Sequence, residues 1–289
     1  MSESPPENSE HGNLGEPPGG KETGRLPGSD SKGGGSRSFV LDFPRTSTGV
    51  RPVRILIFGP PGSGKTYLAG ILLQPPNFAP KERLIACGPV PTLANTLGVP
   101  WNNVSTTDKD EMERFFGKIH KTDEHLFLAI DEFDGYCTKH GYKSQALYEI
   151  INFDRNFGKG TCAIARGSSD VSTNLIASSN LILWFRTTEQ NLLEYIRRTM
   201  RNFPGGRDEA VKTVSTLPHH VCLMYQPLSD VQFPGFLKVV NGELLMYPLP
   251  STSDPTDNED ASTPPADDSS SEATGPTSAT IITPSGAEK

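Results

Sequence analysis

A run of glycines that ends in a lysine and a threonine has the spacing of a site for phosphate groups. It fits the pattern G-x-x-x-x-G-K-[ST] and consists of Gly59, Pro60, Pro61, Gly62, Ser63, Gly64, Lys65 and Thr66. The apolar residues 55–58 precede it and predict a strand that leads into the loop. Glycines permit a tight turn whose backbone N–H groups face a β-phosphate. Lys65 would reach the β- and γ-phosphates, and the Thr66 hydroxyl would bind Mg²⁺. The run therefore predicts a site for a nucleoside triphosphate, most simply ATP, together with Mg²⁺.

A second apolar run, residues 128–130, ends in two acids, Asp131 and Glu132. Because the carboxyl ends of parallel strands meet at one edge of a sheet, both acids would lie beside the phosphate loop. Asp131 would hold Mg²⁺, and Glu132 would orient and polarise the attacking water, which predicts hydrolysis. A buried strand that merely ends in a charged loop is the alternative for the acid pair alone. Asp134 is either a further acid that supports the metal-binding carboxylates or a solvated loop residue, and the solvated loop residue is the favoured interpretation.

Short apolar runs alternate with helical patterns along the middle of the chain, which indicates βαβ units and a mostly parallel sheet. Asp108 with Glu111, and Thr187 with Gln190, predict the starts of two helices. Asn241 and Gly242 predict the turn of a β-hairpin. The strands are predicted at 53–58, 83–87, 126–130, 161–165, 181–185, 220–225, 236–240 and 243–247.

These elements predict an α/β P-loop NTPase fold with a central, mostly parallel sheet flanked by helices and a C-terminal β-hairpin. An acid that activates water is typical of the RecA-like branch, which has an additional strand between the strands that carry the phosphate loop and the acids. The predicted strand at 84–87 agrees with that branch.

Composition divides the 289 residues into a core and two tails. Residues 1–48 are rich in Gly, Pro, Ser and Glu, residues 251–289 in Ser, Thr, Pro and Asp, and both are predicted to be disordered. The acidic tail carries the whole formal net charge of −7, so residues before it sum to zero and neither favour nor exclude nucleic acid. The predicted ATPase domain is 49–250. No apolar run is long enough to span a membrane, and the four cysteines are too dispersed for a zinc site, which predicts a soluble intracellular protein.

The stretch from Arg155 to Arg186 resembles the FtsK/HerA superfamily of DNA-pumping ATPases. It has an arginine three residues before Gly158, then a strand that ends in Arg166. Within that superfamily the chain is most similar to the compact genome-packaging ATPases of double-jelly-roll viruses, which also have a segment like 217–220 before their last strands. The resemblance covers about residues 53–247. The family often has a polar sensor before the strand-end arginine, where this chain has Ala165, so Arg166 combines both roles or the sensor is Ser168 or Ser169.

The resemblance implies a homo-oligomeric ring, hexameric in form, that drives double-stranded viral DNA through its channel into a preformed capsid. Capsid or virion-vertex proteins would be further partners, and the protein would act in the host cytoplasm or nucleus, or in the virion. The catalytic set would be Lys65, Glu132, and Arg166 or Arg155, with one arginine supplied by the neighbouring subunit. Arg186, Arg197 and Arg198 are weaker candidates for that arginine.

Other interpretations remain open at this stage. A superfamily 3-like viral replication helicase and a P-loop ATPase for virion assembly or secretion, acting on protein partners, are the two alternative functions. The loop 135–143 is either a DNA-contacting pore loop or a solvated loop. His219 and His220 are interpreted as a packing and turn feature, and Trp101 and Trp184 as core residues.

Overall fold

The structure is a computed structural model that describes residues 37–38, 52–75, 77, 83–138, 141–167 and 171–249. All of them belong to the first of two units of the chain, Met1–Thr252. The predicted tails lie outside the described residues, except that Arg37 and Ser38 form a short strand. The proposed sensor residues Ser168 and Ser169 also lie outside them.

The described residues form one ten-stranded sheet and a separate two-stranded pair, β6–β7. The order in the large sheet is β1-β12-β11-β10-β9-β2-β8-β5-β3-β4. The strands are β1 (Arg37–Ser38), β2 (Arg54–Phe58), β3 (Arg83–Gly88), β4 (Trp101–Asn103), β5 (Leu126–Ile130), β6 (Cys137–Thr138), β7 (Gly141–Tyr142), β8 (Lys159–Ala165), β9 (Leu181–Phe185), β10 (Val221–Tyr225), β11 (Phe236–Val240) and β12 (Glu243–Tyr247).

The centre of the sheet is parallel and buried on both faces. Strands β9, β2, β8, β5 and β3 run in one direction, and every residue of β2, β5, β8 and β9 is buried. One strand, β8, lies between β2, which leads into the phosphate loop, and β5, which ends at Asp131. The predicted additional-strand architecture is therefore present. The strand predicted at 84–87, however, is β3 and lies beyond β5, because its sequence position does not fix its place in the sheet.

Helices cover both faces of the sheet. Leu56 and Phe58 of β2 belong to one core cluster, and Ile55 and Ile57 belong to the other, as the alternation of side chains in a strand requires. The first cluster includes buried residues of α3, α4, α5, α6 and α7, and the second includes those of α1 and α2. The helices are α1 (Lys65–Leu72), α2 (Thr92–Leu97), α3 (Lys109–His120), α4 (Gln145–Asn152), α5 (Thr173–Ala177), α6 (Gln190–Thr199) and α7 (Gly206–Thr216).

The remaining strands add an antiparallel half to the sheet. β10 pairs antiparallel with β9, and β11 and β12 form the predicted hairpin, whose turn residues Asn241 and Gly242 both have positive φ. No helix among the described residues is long and apolar enough to cross a membrane.

Candidate nucleotide-binding site

The phosphate loop joins β2 to α1, as predicted, and its glycines meet specific constraints. Gly62 and Gly64 have φ values of +77° and +91°, in the left-handed region that other residues rarely adopt. A Cβ at Gly59 would lie 2.6 Å from Cβ of Phe185, and one at Gly64 would lie 2.8 Å from Nδ1 of His220. The glycines therefore allow both the turn and the close approach of β9 and of the segment before β10.

Two polar groups of this loop are poised for an anion. The ammonium of Lys65 donates to the carbonyl of Pro60, 2.8 Å away, across the mouth of the loop. Burial lowers the pKa of Lys65, and the nearby Asp131 opposes that shift. Ser63 is 8% exposed, and its hydroxyl has no hydrogen-bond partner among the described residues. A buried hydroxyl without a partner, and an ammonium that donates only to a carbonyl among the residues that the structure describes, both fit a phosphate ligand.

The acid pair at the end of β5 lies beside this loop. The hydroxyl of Thr66 donates to Oδ2 of Asp131 at 3.1 Å, and the backbone N–H of Glu132 donates to Oδ1 at 2.9 Å. Burial raises the pKa of the Asp131 carboxyl, with both hydrogen bonds acting in the opposite direction. Paired hydroxyl and carboxylate oxygens are ligands that Mg²⁺ prefers, so the two side chains fit the metal that the loop implies.

Glu132 is held by an arginine of its own chain. Its φ of 49° is in the left-handed region, an unfavourable conformation for a glutamate that is typical of functional sites. Nη2 of Arg166 lies 2.9 Å from Oε2 of Glu132. Asp134 accepts a hydrogen bond from the backbone N–H of Arg166 at 3.1 Å, so the prediction of a solvated loop residue was wrong for Asp134. The end of β8 and the loop after β5 are thus tied together at the site.

These features reproduce the defining geometry of one fold. A parallel strand leads through a glycine-rich loop into a helix, and an acid-bearing strand ends beside that loop, one strand away. The chain has a P-loop NTPase fold.

Searches of protein-family models and of curated proteins found no match. Among solved structures, the chain is similar to the genome-packaging NTPase B204 of Sulfolobus turreted icosahedral virus 2 in complex with sulfate, with 20% identity, a TM-score of 0.48, and coverage of 61% of this chain and 92% of that one. It is also similar to the N-terminal domain of zonular occludens toxin from Neisseria meningitidis, with 17% identity, a TM-score of 0.40 and coverage of 62% and 86%.

A third similar structure is EccC (ATPases 2 and 3) of Thermomonospora curvata in complex with a signal sequence peptide. Its identity is 13%, its TM-score is 0.43, and the match covers 68% of this chain and 37% of that one.

The phosphate loop borders two cavities. One, of about 460 Å³, is lined by Lys65, Thr66, Asp131, Glu132 and Arg166, among others. The other, of about 470 Å³, lies toward β9 and β10 and contains none of those acids. The first cavity therefore brings together Lys65, Thr66 and the acid pair. Pro60 and Ser63 of the loop line the second cavity, and Pro61 and Arg166 border both.

Arg155 lies elsewhere in the fold. Arg155 precedes the amino end of β8, whereas the phosphate loop is at the carboxyl ends of the strands. Because β8 has seven residues, the two ends are about 20 Å apart. Its guanidinium donates to the carbonyl of Pro52 at 3.2 Å and to Oδ1 of Asn180 at 3.3 Å. Together with burial, its charge lowers the pKa of Arg54 to about 10. Arg155 therefore does not contribute to the site of its own chain.

The three weaker candidates for the catalytic arginine lie in different parts of the fold. Arg186 borders the second cavity. Arg197 pairs with Glu194 and Asp208, and Arg198 pairs with Glu194, in exposed ion pairs on α6 and α7. The charges of Arg197 and Arg198 are thus paired within the chain, and no nucleotide is needed to account for them.

The predicted pore loop is mostly committed to internal contacts. The hydroxyl of Tyr136 is buried and donates to the carbonyl of Val104, and the ammonium of Lys143 donates to the carbonyls of Thr106 and Gly135. Lys139 and His140 lie outside the described residues. For Tyr136 and Lys143 the pore-loop interpretation was wrong, because both side chains donate hydrogen bonds to backbone carbonyls of their own chain.

The aromatic predictions divide as well. Trp184 is buried and stacks on Phe58 with ring centroids 4.6 Å apart, as predicted for a core residue. Trp101 is 41% exposed on the edge strand β4, so its core prediction was wrong. His219 and His220 form the predicted turn, and although both are exposed to solvent, the ring of His220 packs against Gly64 and the carbonyl of Ser63, as the packing interpretation expects. His220 is the site residue that sequence reasoning missed, because only the tertiary fold brings it to the phosphate loop.

Proposed function

We propose that this chain is an ATPase that translocates double-stranded DNA and packages a viral genome into a preformed capsid. Residues 49–250 would form the ATPase domain, between disordered tails at 1–48 and 251–289. The observation that carries the hydrolytic part is the cavity in which Lys65, the Thr66–Asp131 pair and Glu132 meet. The DNA and capsid parts are supported by the resemblance of the segment from Arg155 to Arg186 to the FtsK/HerA superfamily.

Hydrolysis would use the residues of that cavity in distinct roles. Lys65 and the loop N–H groups bind the β- and γ-phosphates, and Thr66 and Asp131 hold Mg²⁺. When bound, Mg²⁺ neutralises charge on the phosphate oxygens. Glu132 accepts a hydrogen bond from water and directs it at the γ-phosphorus.

Arg166 would act within its own subunit. In the structure its guanidinium is paired with Glu132, 2.9 Å away. A γ-phosphate in the same cavity competes for that guanidinium, since phosphate and carboxylate are both bidentate partners of arginine. Release of Glu132 and stabilisation of charge on the transferred phosphoryl group would then occur together.

A ring would give Arg155 its role. Arg155 lies at the amino ends of the strands, whereas its own phosphate loop lies at their carboxyl ends. It could therefore contribute only to the site of a neighbouring subunit whose phosphate loop faces the amino ends of these strands. Such a head-to-tail contact is heterologous, and it generates a ring when the rotation between subunits closes. Arg155 would then complete the neighbour's site, and a change of nucleotide state would move the subunits around DNA in the channel.

The test is the steady-state rate of phosphate release with and without linear double-stranded DNA. We expect hydrolysis that DNA stimulates, and loss of both basal and stimulated rates in Lys65→Ala and Glu132→Gln. Hydrolysis that is indifferent to DNA would overturn the translocase part and favour an ATPase that acts on protein partners. Absence of hydrolysis with Mg²⁺ present would overturn the ATPase part.

A further inference from the structure

A third carboxylate, that of Asp134, borders the first cavity beside the acid pair. The same cavity is lined by Lys65, Glu132 and Arg166. The side chain of Asp134 is 20% exposed, whereas those of Glu132 and Arg166 are 37% and 55% exposed. Because water reaches Asp134 less than the other two, its charge acts on its neighbours with less screening than that of a solvated loop residue.

The turn that carries Asp134 is fixed by the core of the protein. Asp134 lies in a 3₁₀ turn of four residues directly after the acid pair. Phe133 and Tyr136, at the two ends of this turn, are fully buried. A Cβ at Gly135 would lie 2.7 Å from Cγ2 of Thr106, so the backbone of the turn packs directly on the loop before α3. Its neighbours therefore place the Asp134 carboxylate, and it does not depend on Arg166 for its position.

Both oxygens of this carboxylate face Arg166. Oδ1 accepts a hydrogen bond from the backbone N–H of Arg166 at 3.1 Å, and Oδ2 lies 4.0 Å from Nε of its guanidinium. Nη2 of the same guanidinium lies 2.9 Å from Oε2 of Glu132. The guanidinium therefore lies between two carboxylates, in contact with Glu132 and one short movement away from a hydrogen bond to Asp134.

An arginine as exposed as Arg166 needs a second partner to stay at the site. Once its ion pair with Glu132 breaks, a long side chain that water surrounds regains its rotamer freedom and loses its fixed direction. Asp134 is the second carboxylate within 4.0 Å of the guanidinium, and it also holds the backbone from which the side chain extends. The contacts of Asp134 thus match what an arginine that changes partners would require.

We propose that Asp134 is a positioning residue, which anchors the end of β8 and receives the guanidinium of Arg166 when a γ-phosphate draws it away from Glu132. The proposal rests on the proposed function of this cavity as the site of ATP hydrolysis. Asp134 acts through Arg166 and takes no part in proton transfer. With the guanidinium held by Asp134 at the edge of the cavity, Glu132 is free to orient the attacking water while Arg166 stays within reach of the phosphoryl group.

The first experiment removes the charge of Asp134 and keeps its shape. Asp134→Asn retains an oxygen that can accept the backbone N–H of Arg166, but it no longer attracts the guanidinium. We expect kcat to fall about tenfold, the size of one hydrogen bond to a charged group, with KM for ATP changed less than about twofold. The Tm should stay within about 4 °C of the wild type, as for other pairs that water reaches. A kcat like that of the wild type, a change in KM alone, or a larger fall in Tm would overturn the positioning role.

The second experiment is a double-mutant cycle between Asp134→Asn and Arg166→Ala. Hydrolysis is measured in single turnovers, with protein in excess over ATP, so that slow rates are resolved. If Asp134 acts through Arg166, Asp134→Asn should lower the rate less than about twofold in Arg166→Ala protein, against about tenfold in the wild type. An equal fall in both backgrounds would overturn the proposal, because Asp134 would then act without Arg166.

A matched pair and a second variant complete the test. Asp208 lies 3.0 Å from Nε of Arg197 and lines neither cavity beside the phosphate loop, so Asp208→Asn should keep kcat within about twofold of the wild type. Lys65→Ala distinguishes the two levels of the account. If wild-type protein hydrolyses ATP no faster than Lys65→Ala, the proposed function itself fails. If it does hydrolyse ATP and Asp134→Asn is equally active, only the role of Asp134 fails.

Discussion

Replacement of Arg166 by alanine separates catalysis from stability at this site. The ion pair with Glu132 is short, at 2.9 Å, but the side chains are 55% and 37% exposed. Pairs that water can reach contribute below about 1 kcal/mol, so the loss should lower Tm by no more than about 2–4 °C in a protein of this size. The backbone hydrogen bond from residue 166 to Asp134 does not depend on the side chain and should persist.

The effect on hydrolysis should be far larger. Arg166 borders the same cavity as Lys65 and Glu132, so its guanidinium can reach the charge that develops on the transferred phosphoryl group. Removal of one such donor typically lowers kcat about 10²–10³-fold. We therefore expect a fall of that size in kcat for Arg166→Ala, measured as phosphate release at saturating ATP. Arg166→Lys, which keeps the charge but not the fork, should recover only part of it.

A matched arginine tests whether the effect belongs to the site. Arg83 pairs with Glu124 at 3.0 Å, is exposed, and lies at the amino end of β3, away from the phosphate loop. Arg83→Ala should change Tm little and leave kcat within about twofold of the wild type. The reasoning would be refuted if Arg166→Ala kept its kcat, or if its Tm fell so far that lost activity reflected unfolding.

Three further outcomes follow from the structure. Burial raises the pKa of Asp131 in the native state, so the ionised carboxylate destabilises the native state at pH values above this raised pKa. The destabilisation disappears below the pKa that the carboxyl has in the unfolded chain. Asp131→Asn should therefore raise Tm at pH 7, with a gain that shrinks toward pH 4, and a gain that does not change with pH in thermal denaturation would contradict this. If Arg155 serves a neighbour, mixing Arg155→Ala with Lys65→Ala protein should restore part of the phosphate-release rate that each lacks alone, and rates no higher than the sum of the two would contradict it. Trp184, stacked on the residue before the loop, should change its fluorescence on ATP addition in Trp101→Phe protein, and a spectrum unaltered by saturating ATP would count against coupling of this ring to the loop.

Most of the parallel core could be predicted because its strands are long and apolar on both faces. The strands at 126–130 and 181–185 were predicted with the bounds that the structure gives. Asp108 caps α3, with its side chain accepting from the backbone N–H groups of Asp110 and Glu111. Thr187, by contrast, lies before the observed N-cap, Glu189, and accepts a hydrogen bond from its N–H.

Short elements escaped prediction for lack of a pattern. β4 has three residues and α2 has six, too few for a period to be recognised. α7 begins at Gly206, directly after Gly205. Both glycines have positive φ, and two adjacent glycines in a sequence indicate a turn rather than a helix start. The exposure of Trp101 follows from β4 being an edge strand, and the order of strands is a tertiary property.

The residues of the candidate site likewise fall into those that local sequence predicts and those that only the strand order brings together. Local spacing was enough to predict the loop and the acid pair. The Arg166–Glu132 pair depends on β8 entering the sheet between β2 and β5, and the contact of His220 with the loop depends on β10 lying next to β9. Residues far apart in sequence meet there through strand order, which spacing does not reveal.

The most direct test of the central proposal is ATP-dependent displacement of a triplex-forming oligonucleotide from linear double-stranded DNA. A translocating protein should remove the oligonucleotide when ATP and Mg²⁺ are present, and Glu132→Gln protein should leave it in place. ATP hydrolysis by the wild-type protein without displacement, on DNA that it demonstrably binds, would contradict the proposal.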